Sequence, residues 1–192
     1  MFTKRQANII ENSIQVIAKM GIQGFTIRNL AHNVGVTESA IYRHFESKVS
    51  ILAAILKSFE AELSEFIEQL SLSSMGSIEK IEYVYESHIT RFRNNPALVS
   101  ILFAEEIFKN ERELSERTKK ILDINHNNFR NIIEEGQKEK EIRDDLTADQ
   151  LAMVALATIR LCVKQWELSN YTIDLSQEES KIKESIRVLF KK

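Results

Sequence analysis

Residues 26–48 read TIRNLAHNVGVTESAIYRHFESK, and this stretch decides the fold. Ile27, Leu30, Ala31 and Val34 recur at i, i+3, i+4 and i+7, which is one face of a helix. Gly35 follows, where a helix can close on a left-handed residue without a Cβ penalty. Thr37 suits an N-cap, and Ala40, Ile41 and Phe45 form a second apolar stripe. Two helices joined by a short turn containing Gly make a helix-turn-helix. Ala31 is small where the helices cross, and Ile41 plugs between them. Glu38, Ser39, Tyr42, Arg43 and His44 are left facing outward. Those side chains suit phosphates and base edges, and a helix of this size fits the major groove.

The flanks extend the pattern. Residues 4–20 predict a first helix, with Ile10, Ile14, Ile17 and Ala18 inward and Gly21 ending it. Three short helices give too small a core to stand alone, because chains below roughly 70 residues need support. The next helix, capped by Ser47, supplies it: Leu52, Ile55, Leu56, Phe59, Leu63, Phe66, Ile67 and Leu70 keep helical spacing. Residues 1–48 are therefore expected to be a DNA-binding domain continuing into a linking helix over 48–70, with 49–192 as the body.

Ser71 to Ser77 (SLSSMGS) is the expected loop. Ser77 should then cap a helix to about Asn94, and Pro96 breaks the chain after Asn94-Asn95. Residues 97–109 predict a short helix that is apolar nearly all round, hence buried on several sides. Further helices are expected from about 113 to 140, from Thr147 onward, and from Ser176 onward. The run Gly136 to Glu141 is expected to be a charged, solvated end. The fold class is all-α, with about nine helices: a three-helix head and a helical body for ligand binding and dimerisation.

Composition agrees. The chain has 192 residues, with only five Gly and one Pro. Its net charge is −2, yet residues 1–48 hold six basic and three acidic side chains, a net +3. A positive head on a negative body suits one DNA-facing end. The single cysteine, Cys162, excludes a disulfide within the chain and fits a reducing cytosol. The start MFTKRQANII has no apolar signal-peptide core, and no apolar run approaches the ~18 residues of a spanning helix. A cytoplasmic protein without membrane attachment is expected.

The run from Thr37 to Lys48, TESAIYRHFESK, resembles the DNA-binding signature of the tetracycline-repressor-like (TetR/AcrR) regulators. The motif match covers the first quarter of the chain; the remainder resembles the family in length and helix pattern. Two positions depart from it: Ala40 stands where many members carry Gly, and Val49 where an acidic residue is common. The resemblance implies that Thr26, Arg28, Thr37, Tyr42, His44 and Lys48 contact phosphate, while Ser39 and Arg43 reach base edges. Glu38 either accepts from cytosine N4 or complements the helix N-terminus.

Two faces of the body carry the remaining interest. The last two helices should pair across a two-fold axis as a four-helix bundle, through Val154, Thr158, Cys162, Ile182, Ile186 and Leu189. Between the helices starting near 77, 97, 113 and 147, Tyr85, His88, Phe92, Phe103, Asn125, Asn128, Phe129 and Arg160 mix aromatic and polar groups. They either line an effector pocket or form a packed core with a few hydrogen-bonded polar groups. The aromatics favour a largely apolar effector.

Catalytic signatures are missing: there is no Gly-rich phosphate loop, His-Glu-x-x-His or Cys-x-x-Cys. Asp123 and His126 could form at most half a metal site, so neither metal nor cofactor is expected. The sequence thus points to a homodimeric DNA-binding regulator, a repressor released from a palindromic double-stranded operator by a small apolar effector. The alternatives are an effector-independent DNA-binding dimer that organises or marks chromosome sites, and a helical enzyme or metal protein.

Overall fold

The computed structural model describes residues 2–104 and 108–192, and the residues described form nine helices. These are α1 (Lys4–Gly24), α2 (Ile27–Val34), α3 (Glu38–Tyr42), α4 (Lys48–Ser71), α5 (Ser77–Asn94), α6 (Ala97–Leu102), α7 (Arg112–Lys138), α8 (Ala148–Leu168) and α9 (Leu175–Phe190). The chain divides into two compact units. One comprises residues 1–62 with 95–119, the other 63–94 with 120–192.

In the first unit α1 packs on α2 and α6, and α2 on α3. Thr3 and Gln6 form a reciprocal capping box at the start of α1. Gly21 takes φ +70°, which breaks the helix as expected, and a short helical piece resumes to Gly24. The inward face of α1 is turned slightly from the expected one. Ile9, Ser13 and Val16 are buried with Ile10 and Ile17, whereas Ala18 is exposed.

The apolar segment after Pro96 requires a correction. The helix expected over 97–109 ends at Leu102, and residues 105–107 lie outside those described. Its buried residues Ala97, Leu98, Val99, Ile101 and Leu102 serve the first unit, where α6 packs against α1.

The second unit holds α5, most of α7, α8 and α9, with α5 packed on α8 and α9. Ser77 does not cap α5: it is the first helical residue and is buried. The cap is Glu141, whose carboxylate accepts from the backbone N–H of Ser77 at 2.6 Å and of Ile78 at 3.1 Å. The expected solvated end at 136–141 is therefore a joint. A Cβ on Gly136 would lie 2.7 Å from both Ser77 Cβ and Ile142 Cδ1, so only glycine fits between them. The joint also holds the C-terminus, since Ile142 forms an isolated antiparallel bridge with Lys191. Arg143 N–H donates to the Phe190 carbonyl at 2.8 Å.

Thr147 caps α8 as expected, and Gln150 completes a capping box with it. The last helix starts one residue before Ser176, because Asp174 is the better cap and accepts from Ser176 and Gln177 N–H. Two ion pairs, Lys183 with Glu86 at 3.0 Å and Arg187 with Glu82, fasten α9 to α5.

Candidate functional site

The helix-turn-helix forms as the spacing predicts. Thr26 caps α2, its hydroxyl accepting from Asn29 N–H at 3.1 Å. Gly35 closes α2 at φ +74°, and Val36 N–H reaches back to the Ala31 carbonyl at 3.0 Å. This is a Schellman-type end, which needs the left-handed residue. Thr37 then caps α3, accepting from Ala40 N–H at 3.3 Å and sharing a hydrogen bond with the Ser39 hydroxyl at 3.0 Å. Leu30, Ala31, Ile41 and Phe45 are buried where the two helices meet. The second motif helix is shorter than its apolar stripe. It ends at Tyr42, and His44 N–H turns back to the Ile41 carbonyl at 2.9 Å.

Thr26, Arg28, Thr37, Ser39, Tyr42 and Arg43 are exposed, and His44 is half-buried. All lie in the first unit. Tyr42 leaves half of its surface to solvent despite its aromatic ring. Lys48 has a second role that the sequence hid. Its ammonium donates to the Ile22 carbonyl at 3.0 Å and lies 5.6 Å from the Phe25 ring centroid. Burial lowers its pKa. Lys48 thereby ties the start of α4 to the end of α1.

A model of the tetR family of bacterial regulatory proteins matches residues 9–55, and that of the YsiA-like protein C-terminal region matches residues 59–188. The chain belongs to the tetR family. It is a DNA-binding transcription regulator built on a helix-turn-helix head and a helical body. Among relatives of this tetR-family chain, the nucleoid occlusion factor SlmA of Vibrio atlanticus is 30% identical over 146 residues, 73% of this chain and 72% of that protein. The fatty acid metabolism regulator protein of Bacillus subtilis is 26% identical over 169 residues, 87% and 86% of the two chains. The transcriptional regulator FadR from Bacillus subtilis, solved in complex with stearoyl-CoA, matches with TM-score 0.77 at 24% identity, covering 95% and 96%. A TetR regulator of Haloarcula marismortui shares the fold with TM-score 0.84 at 16% identity, covering 99% of this chain and 100% of that one.

The body candidates separate. Phe103 ends α6 in the first unit, while Tyr85, His88, Phe92, Asn125, Asn128, Phe129 and Arg160 lie in the second. Tyr85 is fully buried; its hydroxyl donates to the Ala155 carbonyl at 2.9 Å and its ring lies 5.7 Å from Phe129. Burial raises its pKa. His88 sits between Phe66 and Phe92, each with ring centroids 6.4 Å away. Its Nδ1 is 2.9 Å from the Val84 carbonyl and its Nε2 is 3.0 Å from Asn125 Oδ1. Burial pushes the imidazole below its ordinary pKa, against the pull of Asn125 and then Val84. Arg160 lies apart from this cluster, on an outer groove of about 540 Å³ between α7 and α8, with Leu122, Asp123, His126, Met153, Leu156 and Ala157. His126 faces Asp149 at 3.6 Å. Among the described residues no three His, Cys, Asp or Glu side chains are grouped to hold a metal, and no helix is long and apolar enough to cross a membrane.

The dimer candidates separate too. Ile182 and Ile186 are buried within the chain, as is Cys162. The Cys162 thiol is pushed up to about 11 by burial and by Glu178. Half-buried Thr158 returns its hydroxyl to the Val154 carbonyl at 2.8 Å. Val154 and Leu189 are exposed, and the sequence reading missed their exposed neighbours Met153, Leu161, Leu168 and Val188. Their spacing on the outer faces of α8 and α9 was available as a signal. The stripe chosen from the sequence was partly the inward one.

Proposed function

We propose that this regulator is a homodimeric repressor that grips a palindromic operator through paired α2–α3 motifs and releases it when a fatty-acyl compound enters the body. The observation that carries this is the exposed polar face of a fully formed helix-turn-helix, on a chain matched to the tetR family over both of its parts. The fatty-acyl class follows from the Bacillus subtilis relatives, one a fatty acid metabolism regulator and one solved with stearoyl-CoA. Arg43 and Ser39 would read bases, while Thr26, Arg28, Thr37, Tyr42, His44 and Lys48 would hold phosphates. The DNA-binding domain is taken as residues 1–48, continuing along α4, and the remainder as the effector and dimerisation domain. The dimer would form on the outer stripe of α8 and α9, including Val154, Leu161, Val188 and Leu189. That many exposed apolar side chains on adjoining helices mark a protein interface. The protein would act in the cytoplasm and would not be an enzyme.

The likeness to the nucleoid occlusion factor SlmA supports a second reading, a dimer that marks chromosome sites without an effector. One experiment separates the two. DNA bound from a random pool should yield a palindrome with half-sites about one duplex turn apart. Titrating stearoyl-CoA should then lower operator affinity about 5–150-fold. A palindrome unaffected by any acyl-CoA would favour the second reading, and the lack of any selected sequence would overturn both.

A further inference from the structure

Thr37 and Ser39 are both exposed on the helix-turn-helix, and their hydroxyl oxygens lie 3.0 Å apart. Thr37 is held in place. Its hydroxyl oxygen accepts from Ala40 N–H at 3.3 Å as the cap of α3, and its β-branched side chain has few χ1 positions to choose from. Beneath them α3 is anchored by Ile41, which is fully buried, and by Phe45 just after the helix.

Each hydroxyl has one proton to donate and two lone pairs with which to accept. At 3.0 Å one of the two protons lies between the oxygens, so the pair keeps one proton for DNA. There are two arrangements. If Thr37 donates to Ser39, the spare proton belongs to Ser39. If Ser39 donates to Thr37, the spare proton belongs to Thr37, and Ser39 faces DNA with lone pairs alone. A backbone phosphate is negatively charged and offers only acceptors. Thr37 can hold it only by donating. A phosphate on Thr37 and a base edge on Ser39 therefore fit together in the second arrangement and not in the first.

We infer that Ser39 reads the operator as a hydrogen-bond acceptor and selects an exocyclic amino group, adenine N6 or cytosine N4, over the keto oxygen of guanine or thymine. This rests on the reading of Thr37 as a phosphate contact and Ser39 as a base contact, and it names the chemical group that Ser39 takes. Thr37 thereby determines specificity without touching a base, because its phosphate contact uses the proton that Ser39 lacks. A keto oxygen set against Ser39 meets lone pairs, or draws the proton away from Thr37 and costs the phosphate contact.

Every base pair shows one amino group and one keto oxygen in the major groove, on opposite strands. A base-preference profile therefore looks the same for either polarity, and the test removes single groups. It uses the full-length protein and its selected operator. Ser39→Ala first marks the base pair that Ser39 reads, by flattening the preference there. At that pair, unsubstituted purine in place of adenine, or pyrimidinone in place of cytosine, deletes the amino group. Analogues of thymine or guanine without the keto oxygen delete the other. Amino deletion should weaken binding by the parent at least about fivefold more than binding by Ser39→Ala. Keto deletion should weaken both proteins alike, since changes in pairing and stacking are common to them. Thr37→Ser should keep the amino dependence. Thr37→Val frees the Ser39 hydroxyl and should abolish it. A Ser39-dependent loss that falls on the keto oxygen overturns the acceptor inference and leaves the base contact of Ser39 standing. If Ser39→Ala flattens no base pair, the inference and the base-reading assignment of Ser39 fall together. The comparison of the parent with Ser39→Ala stands whether or not the Thr37 variants fold.

Discussion

Glu141 makes the sharpest prediction, because a residue expected to be solvated closes a helix more than sixty residues away in sequence. Its two carboxylate oxygens take the Ser77 and Ile78 N–H groups at 2.6 and 3.1 Å. These are two of the four donors that a helix start leaves unpaired. Losing an N-cap costs about 0.5–2 kcal/mol, and a charged acceptor at the positive helix end adds about 0.3–1 kcal/mol. The carboxylate is half-buried, so water can replace it only in part. Glu141→Ala should therefore cost about 2 kcal/mol. For a chain of this length that lowers Tm by roughly 4–8 °C. Glu141→Gln keeps one good acceptor and should lose about half as much. The assay is thermal unfolding at fixed protein concentration, since dimer formation makes Tm concentration-dependent. Hydrogen exchange should show the Ser77 and Ile78 amides opening faster than those in the middle of α5. A Tm within about 1 °C of the unsubstituted protein, with those two amides still protected, would refute the capping role.

Other consequences are checked by simpler comparisons. Gly35→Ala meets no atom within 4 Å but must hold φ +74°, so it should cost about 1 kcal/mol in a denaturant titration. Gly136→Ala should cost about 1–3 kcal/mol by crowding Ser77 and Ile142 instead; the idea fails if either variant matches the parent. The lowered pKa of His88 means that the folded chain binds fewer protons than the unfolded chain below about pH 6.5. Stability should therefore rise with pH up to that value and level off above it. Between pH 7.5 and 5 the parent should lose more stability than His88→Gln, by at most about 1.4 kcal/mol per pH unit, and parallel curves would refute this. Leu161→Glu, at a side chain 61% exposed, should yield a folded monomer in sedimentation, whereas Ile186→Glu, at 1% exposed, should unfold the chain. A stable dimer of the Leu161 variant would move the interface elsewhere. Arg43→Ala should weaken operator binding by about 1–3 kcal/mol and relax one base pair per half-site, and an unchanged base-by-base profile would remove its reading role.

The sequence by itself determined the elements whose signals are local. The α2–α3 motif was legible because its cap Thr37, its left-handed Gly35 and its apolar stripe act within a few residues of one another. Thr147 was legible as a cap for the same reason. Helix count and class followed from periodicity and from the scarcity of Gly and Pro. Tertiary structure decided everything that depends on which element meets which. Only the folded chain joins Glu141 to Ser77, ties Lys48 to Ile22 and sends α6 to the α1 side. The inward and outward stripes of α8 and α9 are equally apolar in places, so periodicity could not say that Ile186 is consumed within the chain while Leu161 and Val188 remain exposed. The contact between His88 and Asn125 was hidden for the same reason. A hydrogen bond between side chains is a property of facing atoms, and the two residues stand 37 positions apart.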